Sequence, residues 1–203
     1  LPRSLTLADL QRGIAIQASA FQDDPFWAYL VPDPIRRKTL LRQVFTPLIR
    51  LGILTETIYG AGETLNGLSV WSLPGQPARP TAPLRAGFIR LLANPAFLRT
   101  LPKAAPIFGK FEAMQKRYAP GPHLYLQTIS VDPAAQGQGL ASRLIRPFLA
   151  YADARRLGTY TETVTHSNVG LYTHYGVKVV EEYKVPGTPL IQWGFYREPG
   201  PVS

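Results

Sequence analysis

The chain has 203 residues, of which 45% are hydrophobic and 17% charged, and it carries a net charge of +9. That material suffices for one domain with a real core and excludes wholesale disorder. It contains no cysteine, which excludes disulfides, thiolate metal sites and a cysteine nucleophile.

In chain order, "RSLTLADL" predicts a short strand and then a helix with Thr6 as its N-cap and Leu10, Ile14 and Ala18 on one face. "FQDDPFWAYLVPDP" reads as an aromatic-rich loop. "IRRKTLLRQVFTPLIRLG" has Leu40, Leu41, Val44, Phe45 and Leu48 at helical spacing, with Gly52 as the expected stop. "TETIYGAGE" and "LNGLSVWSLPG" predict an antiparallel hairpin. A proline-rich loop over 74–83 leads to two helical patterns across 84–118, interrupted near Pro95, Pro102 and Pro106. "HLYLQTISV" is the clearest strand, rich in β-branched and aromatic residues. A glycine turn, a helix to about Leu157, a strand at "TYTETV", a short helix at "NVGLYTHY" and two closing strands complete an α/β (α+β) chain.

The opening residues lack an apolar signal core and no apolar run of about 18 residues occurs, so a cytoplasmic protein without a membrane partner is expected. His123, His166 and His174 show no ligand spacing, and no metal is expected. Between Thr64 and Phe111 there is no acid, while Arg79, Arg85, Arg90, Arg99, Lys103 and Lys110 all fall there. Such a segment attracts a polyanion or is simply a solvated positive face. The basic residues are not interleaved with a stacking series of aromatics, so nucleic acid is disfavoured.

The stretch "ISVDPAAQGQGLASRLIRPFLA" (129–150) runs from a strand through two glycines into a helix. Unpaired N–H groups at a helix N-terminus, with no Cβ in the way, suit a pyrophosphate. A Walker loop fails because Leu140-Ala141 follow the last glycine, where Lys and Ser or Thr are needed. A dinucleotide turn (Gly137-x-Gly139-x-x-Ser142) ranks second. The arm Asp132 to Gln136 separates strand from glycine, and such domains usually begin with the turn.

The same stretch resembles the coenzyme A turn of the GNAT (GCN5-related) N-acetyltransferases, with Gln136, Gly139 and Ala141 at the signature positions after Val131 and Pro133. Asn168, Tyr172 and Gly176-Val177 resemble the family's second segment, with Val where Phe is usual. The region from His123 to Glu198 is most similar to puromycin N-acetyltransferase-like members.

The resemblance implies a single GNAT domain over 1–203, with its coenzyme-binding part at about 121–198. It implies a mixed, mostly antiparallel sheet and a helical insert between the third and fourth strands. It also implies acetyl-CoA as co-substrate, bound by Ile129, Ser130, Val131, Gln136, Gly137, Gln138, Gly139, Leu140, Ala141, Ser142 and Asn168. A bulge in the fourth strand and splaying of the next are expected to open the pantetheine slot. Tyr172, matching the family's tyrosine, is the candidate acid.

Glu162, facing the same way as Tyr160 and Val164, is the candidate base, with an ordinary ion-paired strand carboxylate as the alternative. His123 and Gln127, on one face of the preceding strand, are alternative proton carriers. Asn168 either binds the cofactor or caps the short helix. Phe26, Trp27 and Tyr29 are candidate acceptor-side residues, or else core. The implied reaction is direct acetyl transfer to a small-molecule primary amine by a monomer or homodimer. A peptide N-acetyltransferase, or a non-catalytic module binding coenzyme A or nucleic acid, are the alternatives.

Overall fold

A computed structural model describes residues 2–77 and 79–201. Its sheet runs β1(Arg3–Ser4), β2(Ile58–Ala61), β3(Gly67–Ser72), β4(His123–Val131), β5(Gly158–Thr163), β7(Ile191–Arg197), β6(Lys178–Lys184) in spatial order. Every neighbouring pair is antiparallel except β4 and β5. The helices are α1(Leu10–Ala20), α2(Pro25–Leu30), α3(Pro34–Thr55), α4(Ala82–Ala86), α5(Phe88–Leu92), α6(Pro95–Leu98), α7(Leu101–Tyr118), α8(Leu140–Ala154) and α9(Ser167–His174). The expected hairpin is β2–β3, and α4 to α7 form the expected insert between the third and fourth strands.

An acid or amide followed by proline starts several of these helices. Asp24 accepts from the N–H of Phe26 (3.0 Å) and Trp27 (3.4 Å), with Pro25 opening α2. Asp33 accepts from Ile35 (2.9 Å) and Arg36 (2.8 Å) ahead of α3, and Asn94 from Ala96 (2.9 Å) ahead of α6. Proline suits the first helical position because its missing N–H has no partner there anyway. The segment 21–34 is therefore not the expected loop; it holds α2, one turn and a half long. Arg37, itself buried, fixes it by donating to the carbonyls of Gln22 (2.6 Å) and Val31 (2.9 Å).

Five further expectations are corrected. Gly52 does not stop α3, which ends at Thr55 with Glu56 in the left-handed region at φ 58°. The glycine instead permits close packing, since a Cβ there would lie 2.9 Å from Ile58 Cβ. Leu48 is 39% exposed, off the buried face that Leu40, Leu41, Val44 and Phe45 share. Four helices, α4 to α7 over 82–118, replace the two helical patterns expected across 84–118. Pro106 lies inside α7 and Pro102 only opens it. Thr6 is an N-cap as expected, but of a 3-10 turn, Leu7–Asp9, that precedes α1, and its N–H donates to the Asp9 carboxylate (2.9 Å). The helix after the glycine turn ends at Ala154, not Leu157.

The core lies on both faces of the sheet. On one, α1 to α3 and part of α7 bury Ile16, Leu41, Ile49 and Ile107. On the other, α8 packs Phe148 onto Trp71, with ring centroids 4.5 Å apart and planes nearly parallel. Such burial is the main stabilising term, about 1.5–3 kcal/mol for each large apolar side chain.

Candidate active site

The glycine turn follows β4 after the short arm Asp132 to Gln136, which holds a 3-10 turn at Pro133–Ala135. Asp132 N–H donates to Asn66 O (2.8 Å), while its carboxylate pairs with Arg12 (2.6 Å) and caps the Pro133–Ala135 turn at Ala134 N–H (3.1 Å). Ala135, Leu140 and Leu144 are buried together, with Ile129 and Val131 packed against them, so the turn is anchored from beneath. Gln136 to Gly139 stay exposed. Gly137 (φ 78°) and Gly139 (φ 71°) are left-handed, and a Cβ at either would meet nothing within 4 Å. Their glycine requirement is therefore conformational. Among the described residues the N–H groups of Gly137, Gln138 and Gly139 have no backbone acceptor, and those of Leu140, Ala141 and Ser142 open α8, where no intrahelical partner exists. Six donors thus gather at the positive end of a 15-residue helix. The Ser142 hydroxyl is engaged by Arg146 Nε (2.7 Å).

Beside the turn the sheet opens. Opposite β3, Val70 pairs with Thr128 and Trp71 with Leu126, so Gln127 is a bulge. Opposite β5, pairing stops at Leu126–Thr161, although β5 continues to Thr163 on its other side. The β4 edge from Gln127 to Val131 is therefore unpaired toward β5, as the expected bulge and splay require. Thr161 Oγ1 donates to the last paired carbonyl, Leu126 O (2.9 Å), which ends the ladder there. The bulge also reverses side-chain phase. His123 and Tyr125 face the α7 side, whereas Ile129 and Val131 face α8. The reversal falls after Gln127, whose side chain still meets Ser72, the cross-strand partner of Tyr125, so Gln127 stays on the His123 side. Gln127 donates to Ser72 Oγ (2.5 Å), and His123 lies against Gln115 (3.1 Å) and Gly121 O (2.7 Å).

Glu162 lies at the mouth of this opening. Its Oε1 accepts a short hydrogen bond from the Tyr125 hydroxyl, while Oε2 is buried without a partner, as is the nearby Tyr160 hydroxyl. Burial pushes the Glu162 carboxyl up to about 7, and the hydrogen bond from the Tyr125 hydroxyl partly offsets that. No Arg pairs with it among the described residues, so it is not the ordinary ion-paired strand carboxylate. Burial likewise raises the Tyr125 and Tyr160 phenols far above their ordinary value, and the Glu162 charge adds to it.

Tyr172, on α9, is 5% exposed, packs edge-on to Phe195 (5.2 Å) and is pushed up to about 12 by burial. The Asn168 amide donates to Thr163 Oγ1 (3.1 Å), tying α9 to the end of β5, and it does not cap the helix, which follows His166. Ser130 is 2% exposed with its hydroxyl unpartnered. Phe26 and Trp27 are core residues, packed edge-on to one another and, respectively, to Phe108 and Phe45. Tyr29 is half-buried beneath Lys103 Nζ (5.5 Å). Asp24 ties this region to the far end of β5 by accepting from Thr165 Oγ1 (2.8 Å).

Sequence reasoning missed Tyr125, Thr161 and Arg146. The arginine, one helical turn beyond Ser142, was readable from spacing. Tyr125 was not, because its meeting with Glu162 needs the parallel register Tyr125↔Tyr160. Among the described residues no group of three or more His, Asp or Glu could hold a metal ion.

Residues 86–177 match a model described as the acetyltransferase (GNAT) family. A Schizosaccharomyces pombe protein described as an uncharacterized N-acetyltransferase is 26% identical over 174 residues, 83% of this chain and 70% of that one. Two solved structures cover nearly the whole chain. One, described as histone acetyltransferase HPA2 and related acetyltransferase from Corynebacterium glutamicum, has a TM-score of 0.64 at 20% identity, covering 98% of this chain and 95% of that one. The other, a Drosophila melanogaster polyamine N-acetyltransferase, has 0.58 at 14%, covering 97% and 98%. At such identities these two carry the fold alone. The sheet with one parallel pair, its splay and the glycine turn constitute the GNAT fold. With the family match they support the GNAT acetyltransferase family, and the chain is an acetyl-transfer enzyme.

Proposed function

We propose that the chain transfers the acetyl group of acetyl-CoA to a primary amine of a small molecule, by direct attack in a ternary complex. The observation that carries this reading is the position of Glu162, a carboxyl held near neutrality at the mouth of the β4–β5 splay. The turn residues Gly137 to Ser142, with Gln136 beside them, fit a pyrophosphate through their unpaired N–H groups. The free β4 edge at Ile129, Ser130 and Val131 fits an extended amide-bearing arm added like a strand. Bound there, acetyl-CoA supplies an activated thioester.

An alkylammonium has a pKa near 10.4, so its proton must leave before attack. Glu162, near 7, accepts it, directly or through a water held at its unpartnered Oε2. Tyr172 stays protonated at neutral pH and donates toward the departing sulfur. A thiolate with a Cys-like pKa of about 8.5 makes modest demands of that acid. Asn168 orients α9, and Tyr29, with Phe26 and Trp27 behind it, borders the acceptor side. Within the family this reading sets the chain nearest the puromycin N-acetyltransferase-like members. The polyamine and arylalkylamine N-acetyltransferases among the solved structures it resembles support a small amine. A peptide amine is a second reading, favoured by the acid-free segment 64–111, which would attract an acidic peptide.

Calorimetric titration with acetyl-CoA, CoA and NAD tests the turn, with binding of the first two alone expected. Amine-dependent release of free thiol then tests transfer. The cysteine-free chain contributes no background to it. Absence of acetyl-CoA binding would overturn the reading.

A further inference from the structure

The insert α4–α7 exposes what a soluble surface usually hides. Helices α4, α5 and α6 all pack on α3, burying Ala82, Ala86 and Leu91 toward it. Exposed to solvent are Leu84 (60%), Ile89 (62%), Leu92 (56%) and Leu98 (43%), with Leu101 and Phe108 continuing the series on α7. Single exposed apolar residues need no explanation, but six within the 25 residues from Leu84 to Phe108 do.

Cations are threaded through the same helices. Arg85, Arg90 and Arg99 are exposed and have no carboxylate partner among the described residues. Lys103 is exposed beside them. Arg90 and Arg50 also line a surface pocket between α3 and α5, whose polar rim is Gln43, Thr46 and Asn94 and which has no acid.

We propose that this layer docks on an anionic lipid surface, with Leu84, Ile89, Leu92 and Leu98 entering the headgroup region and the arginines meeting phosphates. The Arg50–Arg90 pocket accepts one headgroup phosphate. The choice of occupant rests on charge. A protein partner presents both signs and would be answered by some carboxylates, yet 64–111 has none. A phospholipid surface presents phosphate everywhere. Leu, Ile and Phe interleaved with Arg and Lys are also what an interfacial helix layer carries, whereas protein hot spots favour Trp and Tyr. This is a peripheral contact, since no described helix is long and apolar enough to cross a membrane. It departs from the sequence expectation of no membrane partner. It is also independent of the acetyl-transfer chemistry, because none of these residues belongs to the proposed catalytic or coenzyme site.

The test is co-sedimentation of the intact chain with phosphatidylcholine vesicles and with vesicles about one-third phosphatidylserine. Binding to the anionic vesicles alone is expected. The set Arg85→Gln, Arg90→Gln and Arg99→Gln should weaken it by about a hundredfold, and Leu84→Ser with Ile89→Ser and Leu92→Ser should abolish the part that survives high salt. Because the chain has no cysteine, Ile89→Cys takes a single environment-sensitive dye. Its emission should shift to the blue on adding anionic vesicles, whereas a dye at Val179→Cys, exposed on β6, should not respond. Equal behaviour of the two vesicle types overturns the proposal. So does a serine set that binds as tightly as the parent, which would mark a soluble polyanion site. A dimer abolished by the serine set also overturns it, by making this face a contact between copies.

Discussion

The Tyr125 hydroxyl hydrogen-bonds the Glu162 carboxylate across the last paired rungs of β4 and β5. Tyr125 sits opposite Tyr160 in the parallel register, so Glu162, two residues further along β5, lies diagonally across the same face. The bond favours the ionised carboxylate and partly counters the burial that raises its pKa. Glu162→Gln should lower kcat by about a hundredfold or more and remove the acidic limb of the pH–rate profile. Tyr125→Phe should instead shift that limb to higher pH while sparing the alkaline plateau. A profile unmoved in both variants would show that Glu162 is not the base.

The same carboxyl links stability to pH. Its folded-state pKa, about 7, lies above the ordinary 4.5, so the native state keeps a proton that the unfolded chain has released. The contribution is fully present below about pH 4.5 and is lost as pH rises through 7. The wild-type chain should lose on the order of 3 kcal/mol over that window from this group. Urea unfolding of Glu162→Gln across the same range should lack that part of the slope.

For Tyr172, removal of the hydroxyl alone is informative because the ring is packed against Phe195. Tyr172→Phe should keep the fold and slow turnover by about tenfold, with the affinity for acetyl-CoA unchanged. Unchanged turnover at saturating acetyl-CoA, from about pH 6 to 9, would contradict the acid role.

Gly139 opens α8 at φ 71° with empty space where a Cβ would point. Gly139→Ala should therefore cost about 1–2 kcal/mol of backbone strain and no clash. Any loss of acetyl-CoA affinity, read by calorimetry, should exceed the change in thermal stability, because the strain falls on the six-donor turn.

Gly52 behaves in the opposite way. Its φ is ordinary for a helix, but a Cβ would press on Ile58 at 2.9 Å. Gly52→Ala should destabilise by about 1–3 kcal/mol, measured by denaturant midpoint, and leave the KM for acetyl-CoA unchanged.

What the sequence determined by itself is what local chemistry encodes. The β2–β3 hairpin, β4 and the glycine turn into α8 were legible because hydrophobic period and backbone freedom are properties of adjacent residues. The short α2 was not, because Asp24-Pro25 reads as a loop until its carboxylate is seen capping two N–H groups. Gly52 looked like a helix stop because only the approach of β2 reveals why it lacks a side chain. The site divides in the same way. The turn was readable and the carboxylate could be nominated, but its titration and its partner could not. Those depend on a one-residue bulge at Gln127 and on a parallel register that stops at Leu126. The bulge turns Tyr125 and Ile129 to different sides, and the register brings Tyr125 to Glu162. Register is fixed by packing between segments far apart in the chain, and a slip of one residue exchanges every side chain between the faces. Tertiary structure therefore decided the chemistry of Glu162, because burial and partners are set by what folds over a residue rather than by its neighbours in sequence.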